Sequence, residues 1–194
     1  MQQTNAPLPA TQEEMVGPYY PPRFLLEDPA RLDKALGLSV RPEGEPIVLS
    51  GAVLDLHGKP VAPILVEFWQ ADASGKLRVP GETAVDPWFD GYARQYCTDG
   101  SFELRTVKPG AVSDARAPHV TVTLFCDGVS RLVTQVFFDD EPANARDPLL
   151  LDLPEALRDR LIARRQPGDG PPRYLIDIVM RGERETPFFD DLES

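Results

Sequence analysis

The stretch His119-Val120-Thr121-Val122-Thr123-Leu124-Phe125 alternates polar and apolar side chains from His119 to Leu124. A period of two is typical of a β-strand with one buried face, so His119, Thr121 and Thr123 share a face. Six further runs are rich in β-branched or aromatic residues and are bounded by Gly, Asp or Pro: residues 47–56, 61–72, 92–98, 101–107, 131–138 and 173–182. With residues 119–126 as the seventh strand, these runs predict an all-β fold, a two-sheet β-sandwich of mostly antiparallel strands with a few short helices.

Two connections between these strands carry tight-turn residues, namely residues 55–60 and the pair Asp99-Gly100. Because Gly and Asp tolerate the left-handed backbone of a tight turn, both connections predict hairpins. Helices are predicted at residues 30–36 and 155–165, the second from an apolar stripe of Leu157, Leu161 and Ile162.

Composition excludes two broad classes. The chain has 194 residues and a formal net charge of −11, which repels the phosphate backbone of nucleic acids. Its 42% hydrophobic and 26% charged residues are typical of a folded protein rather than a disordered one. Proline clusters at residues 7–22 and 42–46 mark residues 1–46 as an irregular N-terminal arm and connector, and we expect residues 47–194 to form a single β domain.

Targeting signals are not visible in the sequence. Two cysteines are too few for a disulfide framework, the first residues lack a basic and an apolar signal region, and no apolar run reaches membrane-spanning length. We therefore expect a cytoplasmic protein with neither a membrane nor a nucleic-acid partner.

Only two histidines, His57 and His119, are available for chemistry. His57 lies in a turn beside Gly and Pro, which favours an exposed loop residue. On a strand, a metal site would use ligands at positions i and i+2, and here the second position is Thr121, a poor ligand. Phosphate loops, Cys-x-x-Cys, Gly-x-Ser-x-Gly and His-Glu-x-x-His motifs do not occur in the sequence.

Two carboxylates, Glu67 and Asp177, lie in the middle of apolar strand-like runs and are candidates for burial. Arg105 or Arg173 is the expected partner. A structural ion pair is favoured over general acid–base work, because the sequence places no second acid nearby.

Several short motifs follow one another along nearly the whole chain. The most specific are Trp69-Gln70-Ala71-Asp72 and Lys108-Pro109-Gly110. The others are Gly17-Pro18-Tyr19, Gly51-Ala52-Val53-Leu54-Asp55, Gly58-Lys59-Pro60-Val61, Thr98-Asp99, Ala117-Pro118-His119, Phe137-Phe138-Asp139 and Glu185-Thr186-Pro187-Phe188-Phe189-Asp190. In this order the motifs resemble those of the intradiol ring-cleavage dioxygenases.

The resemblance implies an oxygenase that opens a dihydroxybenzoate ring between its hydroxyls with a non-haem Fe(III) held by two Tyr and two His. Catalytic chains of the family carry one Tyr ligand in the segment matching residues 71–90, another two residues after Lys-Pro-Gly, and a His-x-His. Here residues 71–90 contain no Tyr, the second position is Val112, and the third motif reads His119-Val120-Thr121. We therefore expect a vestigial site that holds no metal and contributes no catalytic residue.

Loss of ligands with retention of the frame resembles the α chains of hetero-oligomeric members, which pair with a homologous β chain. The implied Fe(III) is then bound by that β chain and not by this one. Gly17, Pro18 and Tyr19 inherit a substrate-contacting role at the partner's pocket, or they merely turn the arm. Arg116 matches an Arg that precedes the first His of catalytic chains, and here we expect a relic or an interface ion pair.

Two alternatives stay open. Residues 51–110 also resemble the small carboxypeptidase-regulatory or transthyretin-like sandwiches, which implies a free-standing binding module. A single-chain dioxygenase with a displaced site would need Tyr92 or Tyr96 as substitute ligands, and aromatic residues in strands more often serve packing.

Overall fold

The computed structural model describes residues 42–126 and 130–189. Its strands are β1 (Pro46–Leu54), β2 (Ile64–Gln70), β3 (Tyr92–Cys97), β4 (Ser101–Val107), β5 (His119–Cys126), β6 (Ser130–Phe138), β7 (Ile162–Gln166), β8 (Arg173–Leu175) and β9 (Ile178–Val179). The helices are α1 (Pro148–Asp152) and α2 (Glu155–Arg158), with 3-10 turns at Pro142–Arg146 and Asp159–Leu161. Within these residues, no helix has both the length and the apolar character to cross a membrane.

The strands form one hydrogen-bonded path in the order β3-β2-β5-β6-β7-β8-β1-β4, with β9 paired to β1. Among residues 42–126 and 130–189, five pairings are antiparallel and three are parallel, namely β1 with β8, β1 with β9 and β6 with β7. The all-β prediction is confirmed. The prediction of two separate sheets needs correction. All the strands belong to one continuous hydrogen-bonded sheet, which curves into a nearly closed barrel.

The two end strands of the path, β3 and β4, are neighbours in the sequence. The turn at Asp99-Gly100 joins them, but β3 pairs with β2 and β4 pairs with β1. The hairpin predicted there is therefore wrong, although the turn itself is present and Gly100 has a φ of +81°. The turn is held by β1 instead, because the Gly100 carbonyl accepts a hydrogen bond from the Val53 amide at 2.9 Å. Likewise the turn at residues 55–60 leads to only an isolated bridge, Leu54 to Pro60.

The core lies between the two halves of the barrel, β3-β2-β5-β6 and β7-β8-β1-β4. In β5 the alternation works as predicted, with Val120, Val122 and Leu124 fully buried. Phe68 of β2 meets Phe102 of β4 with ring centroids 5.6 Å apart, so the halves touch through aromatic side chains. Burial of each such side chain stabilises the fold by about 1.5–3 kcal/mol.

A second, smaller cluster covers the outer face of β6. It is built on Phe137 and comprises Ala117, Phe137, Ala143, Leu150 and Leu161. The helix predicted at residues 155–165 is shorter than expected, because the chain turns after Leu161 and continues as β7. There Ile162 and Ala163 pair in parallel with Phe137 and Phe138, a long-range pairing that outweighs the local helical period.

The strand predicted at residues 173–182 is divided into β8 and β9. Ile176 lies between them, and its carbonyl approaches Gly51 so closely that a Cβ at Gly51 would collide with it. The helix predicted at residues 30–36 lies outside the described residues.

Candidate functional site

One end of the barrel collects the segments that carry the site motifs. This site end consists of residues 71–90, which follow β2, and residues 108–119, which run from β4 into β5. The motif residues Asp72, Gly110 and His119 all belong to it.

Asp72 organises the first of these segments. Its Oδ1 accepts hydrogen bonds from the Ser74 amide, the Ser74 hydroxyl and the Lys76 amide at 2.9, 2.7 and 2.9 Å, and its Oδ2 accepts from the Asp86 amide at 2.9 Å. Burial alone would raise the pKa of the Asp72 carboxyl, but these bonds outweigh it and lower the pKa below the usual value. A charged Asp72 therefore holds the turn and residue 86 together at neutral pH.

The two segments meet backbone to backbone. The Gly110 amide donates to the Asp72 carbonyl at 2.8 Å. A Cβ at Gly110 would lie 2.5 Å from the Ala73 carbonyl oxygen, and one at Gly75 would collide with the Ala111 carbonyl. Glycine at both positions permits this close approach.

His119, at the start of β5, is half-buried and already engaged. Its Nδ1 lies 2.8 Å from the Ala117 carbonyl oxygen, which can only accept, so Nδ1 carries the proton. The ring packs on Phe137 with centroids 5.5 Å apart. Burial lowers the pKa of His119 below its usual value and outweighs the hydrogen bond to Ala117, which raises it. A neutral imidazole thus offers one nitrogen, Nε2, to any ligand.

Arg116 is bound within its own chain. Its Nε donates to Asp147 Oδ2 at 2.9 Å, and its guanidinium also donates to Gln135 Oε1. Asp147 is completely buried and also accepts from the Ala117 amide at 2.7 Å. This ion pair lies within the chain and joins the loop before β5 to the N-terminus of α1. The expectation of a relic or an interface ion pair stays a prediction.

Val112 and Thr121 provide no substitute for a ferric ligand set. Val112 is an exposed aliphatic side chain on the Lys-Pro-Gly loop. Thr121 offers a neutral hydroxyl, and its strand neighbours are Trp69 and Gln135. Within residues 42–126 and 130–189, no group of three or more His, Cys, Asp or Glu side chains is arranged to hold a metal. The donors at these positions do not fit Fe(III), which prefers several hard anionic ligands.

The two tyrosines considered as substitutes are placed elsewhere. The Tyr92 hydroxyl donates to Glu67 Oε1 at 2.8 Å, and Tyr96 is exposed. Tyr92 and Thr121 flank Trp69 from opposite strands, and so are separated by two strand spacings, about 10 Å. The Tyr92 hydroxyl is already engaged by Glu67 of the neighbouring strand.

The ion-pair partners expected for Glu67 and Asp177 need correction. Glu67 is half-buried and pairs with Arg94 of the adjacent strand. The exposed Asp177 accepts from the Ala52 amide at 3.1 Å. Arg105 and Arg173 both bind Glu103 instead. Strand register, which the sequence alone does not reveal, decides these pairs.

Sequence reasoning missed Asp147, and it quoted Asp72 only within a motif without assigning it a role. A signal for Asp147 was present, because Asp followed by Pro148 and a leucine run marks a helix N-cap with proline at the first position. Gly17, Pro18 and Tyr19 lie outside the described residues, so their substrate-contacting role stays a prediction.

Comparisons with known proteins match this architecture. A family model described as dioxygenase matches residues 15–182. The chain is 37% identical to the protocatechuate 3,4-dioxygenase alpha chain of Pseudomonas putida, covering 94% of this chain and 97% of the relative. It is 39% identical to the protocatechuate 3,4-dioxygenase beta chain of Burkholderia cepacia, covering 90% and 83%.

Solved structures agree. The dioxygenase domain of a carbohydrate-binding fusion protein from Streptomyces sp. SirexAA-E is 29% identical, with a TM-score of 0.60, covering 87% of this chain and 96% of that one. The 3-chlorocatechol 1,2-dioxygenase of Rhodococcus opacus 1CP is 20% identical, with a TM-score of 0.61, covering 79% and 64%, which shows the shared fold.

Proposed function

Because the chain belongs to the intradiol ring-cleavage dioxygenase family, we propose that it is the metal-free α subunit of a protocatechuate 3,4-dioxygenase. Its partner is a homologous β chain that binds Fe(III). That β chain breaks the ring carbon–carbon bond of protocatechuate between the two hydroxyls. Both atoms of O2 enter the product, 3-carboxy-cis,cis-muconate.

The observation that carries this proposal is the donor set at the site end. Val112 has no donor atom, Thr121 has a neutral hydroxyl, and His119 has one ring nitrogen tied to the Ala117 carbonyl. A single neutral nitrogen cannot compete with water for a ferric ion. The fold of a dioxygenase without its ligands supports a subunit that works through a partner.

Overall identity does not separate the α from the β assignment. The chain is 37% identical to one α chain and 39% identical to one β chain. The assignment therefore depends on individual positions, and residues 112, 119 and 121 favour α.

The contribution of this chain to catalysis is proposed to come from its N-terminal arm. Gly17-Pro18 gives a rigid, low-profile backbone that a flat aromatic ring can approach closely, and Tyr19 adds a hydroxyl at that corner. These residues form part of the wall of the partner's substrate pocket. The substrate is an anion and this chain carries a charge of −11, so the β chain supplies most of the compensating positive charge.

Arg116 takes no part in that compensation. Its Nε pairs with the buried Asp147, and its Nη2 donates to Gln135 Oε1. The alternative of a free-standing transthyretin-like module gains no support, because the similarity to the protocatechuate 3,4-dioxygenase α chain covers 94% of the chain.

Iron analysis with and without the partner tests the proposal. Expressed alone, the chain is expected to be colourless, free of stoichiometric iron and inactive on protocatechuate. Coexpression with a homologue that carries Lys-Pro-Gly-Pro-Tyr and His-x-His is expected to give a red hetero-oligomer with one iron per αβ pair. The partner expressed alone is the control. A red, active oligomer of this chain by itself would contradict the proposal.

A further inference from the structure

β3 and β4 are the two ends of the strand path, and no ladder joins them among residues 42–126 and 130–189. We call the line between these two strands the seam. In an antiparallel pair, alternate residues turn their backbone groups away from the partner strand. Because the Val53 amide bonds to the Gly100 carbonyl, this alternation aims the backbone groups of Glu103 and Val107 away from β1. Such groups need other partners wherever they are buried.

Gln70, the last residue of β2, supplies one of these partners. The residue is 2% exposed, and its Nε2 donates to the Val107 carbonyl at 2.9 Å and to the Ala71 carbonyl at 3.1 Å. Its Oε1 accepts from the Thr106 hydroxyl at 3.1 Å. Because both carbonyls can only accept, the two N–H groups must face them, and the amide has one possible orientation.

Gln95 of β3 crosses the seam at a second point. Its Oε1 accepts from the Glu103 amide at 3.2 Å. Two side-chain amides, which have the same kinds of donor and acceptor as a peptide group, thus stand where a strand ladder is missing. Their surroundings differ, because Gln70 is buried at the site end, whereas Gln95 is half-buried and lies nearer the turn at residues 99–100.

The place of Gln70 in the chain makes its side chain a link within the site end. Residues 71–90 begin directly after Gln70, and residues 108–119 begin directly after Val107. The hydrogen bond from Gln70 to the Val107 carbonyl therefore joins the two segments at the points where they leave the barrel. It also joins the two most specific motifs of the sequence, one on each segment.

We propose that Gln70 is a positioning residue, which closes the seam at the site end and sets the spacing of these two segments. Without its amide, the seam opens from the site end, and residues 71–90 and 108–119 separate while the rest of the barrel stays folded. Gln70 touches no ligand and acts through the Val107 and Ala71 carbonyls. The inference goes beyond the proposed function and does not depend on it, because it concerns contacts within this chain.

The test is Gln70→Met in the full chain, with Gln95→Met as the matched control. Methionine is similarly long and packs well in a core, but it removes the amide. Hydrogen exchange is measured at the Gly110 and Lys108 amides, which are hydrogen-bonded within the site end. In Gln70→Met both are expected to exchange at least about tenfold faster, because opening the segments no longer breaks the Gln70 bonds. Gln95→Met is expected to accelerate the Glu103 amide and to leave the two site-end amides unchanged.

Two further measurements separate spacing from general stability. The Thr186 amide, bonded to the Val179 carbonyl at the other end of the barrel, is expected to keep its exchange rate in Gln70→Met. The Gly75 backbone touches the Ala111 carbonyl across the two segments, so nuclear Overhauser contacts between these residues are expected to weaken in Gln70→Met and not in Gln95→Met.

Thr106→Val keeps the test open even if Gln70→Met folds poorly. The change removes only the bond to Gln70 Oε1, so a smaller acceleration at the same two site-end amides is expected.

Unchanged exchange at Gly110 and Lys108 in a Gln70→Met chain that unfolds at lower urea would overturn the inference, because the amide would then support the fold without positioning the segments. Equal acceleration of these two amides by Gln95→Met would overturn it as well. Iron content and complex formation, which test the proposed function, enter neither outcome.

Discussion

Two arginine–carboxylate clusters of this molecule have nearly the same geometry and very different surroundings. Arg116 and Asp147 are joined at 2.9 Å, with side chains 20% and 0% exposed. Glu103 lies 2.9 Å from Arg105 and 2.7 Å from Arg173, and those three side chains are 38%, 63% and 51% exposed. From the distances alone, the two clusters would be expected to contribute equally to stability.

Burial separates them. Solvent screens the Glu103 cluster, and such surface pairs contribute about 0–1 kcal/mol. Asp147 instead accepts from the Ala117, Leu149 and Leu150 amides besides Arg116, and water cannot replace any of these donors. The comparison teaches that the site end depends on buried carboxylates, Asp72 and Asp147, that accept hydrogen bonds from backbone amides. The exposed charges on β4 and β8 are expected to contribute little to stability.

The strongest test of this comparison is Asp147→Ala. The change leaves the Arg116 charge without its partner and removes the N-cap of α1, so we expect a loss of about 3–5 kcal/mol in the free energy of unfolding. Urea unfolding at pH 7 measures it. A loss below about 1 kcal/mol would show that burial does not distinguish the two clusters.

An intermediate effect is expected at Asp140, whose Oδ1 binds Lys108 Nζ at 2.8 Å and whose Oδ2 accepts from the Tyr174 hydroxyl at 2.8 Å. Burial alone would raise the pKa of the Asp140 carboxyl, but the Lys108 and Tyr174 bonds outweigh it and lower the pKa below the usual value. A carboxyl with a lowered folded-state pKa contributes stability that is present above the unfolded pKa of about 3.9 and is lost as the pH falls through the folded pKa.

We therefore expect Asp140→Asn to destabilise the chain by about 2 kcal/mol at pH 7 and to flatten the loss of stability below about pH 4. Urea midpoints measured from pH 7 down to pH 3 provide the comparison. Tyr174→Phe removes one of the two bonds to Asp140 while its ring, 4.9 Å from that of Phe138, is kept, so a smaller change in the same direction is expected. If the urea midpoints of Asp140→Asn and of the unmodified chain fall in parallel with pH, Asp140 does not cause the loss of stability in acid.

The smallest effect is expected for Glu103→Ala. Removal of this exposed carboxylate should cost less than about 1 kcal/mol, and the cost should shrink further in high salt because the pairs are screened. Urea unfolding at two salt concentrations checks both statements. A salt-independent loss as large as that of Asp147→Ala would break the comparison.

Much of the fold could be predicted from local patterns. Strands β4 and β5 begin and end at the predicted residues, because each alternates clearly and each is bounded by turn residues or Pro. β7 could not be predicted this way. Leu161 and Ala163 are both buried, yet the apolar residues around them also fit a helix, and only pairing with β6 decides between the two.

For the candidate site, the motif order singles out His119, Arg116 and Val112 but does not predict which side chains they contact. The partners of Arg116 come from β6 and from the segment before α1, at sequence separations of 19 and 31 residues. Such separations leave no local trace in the sequence, so the bonds from Arg116 to Asp147 and Gln135 could not be predicted from it.

Strand pairing is weak along two lines, which together divide the barrel lengthwise. Between β3 and β4 no strand ladder forms within the described residues, and β6 and β7 share only two residue pairs. We therefore expect local opening of the barrel to begin along these two lines and to require separation of the Phe68 and Phe102 rings.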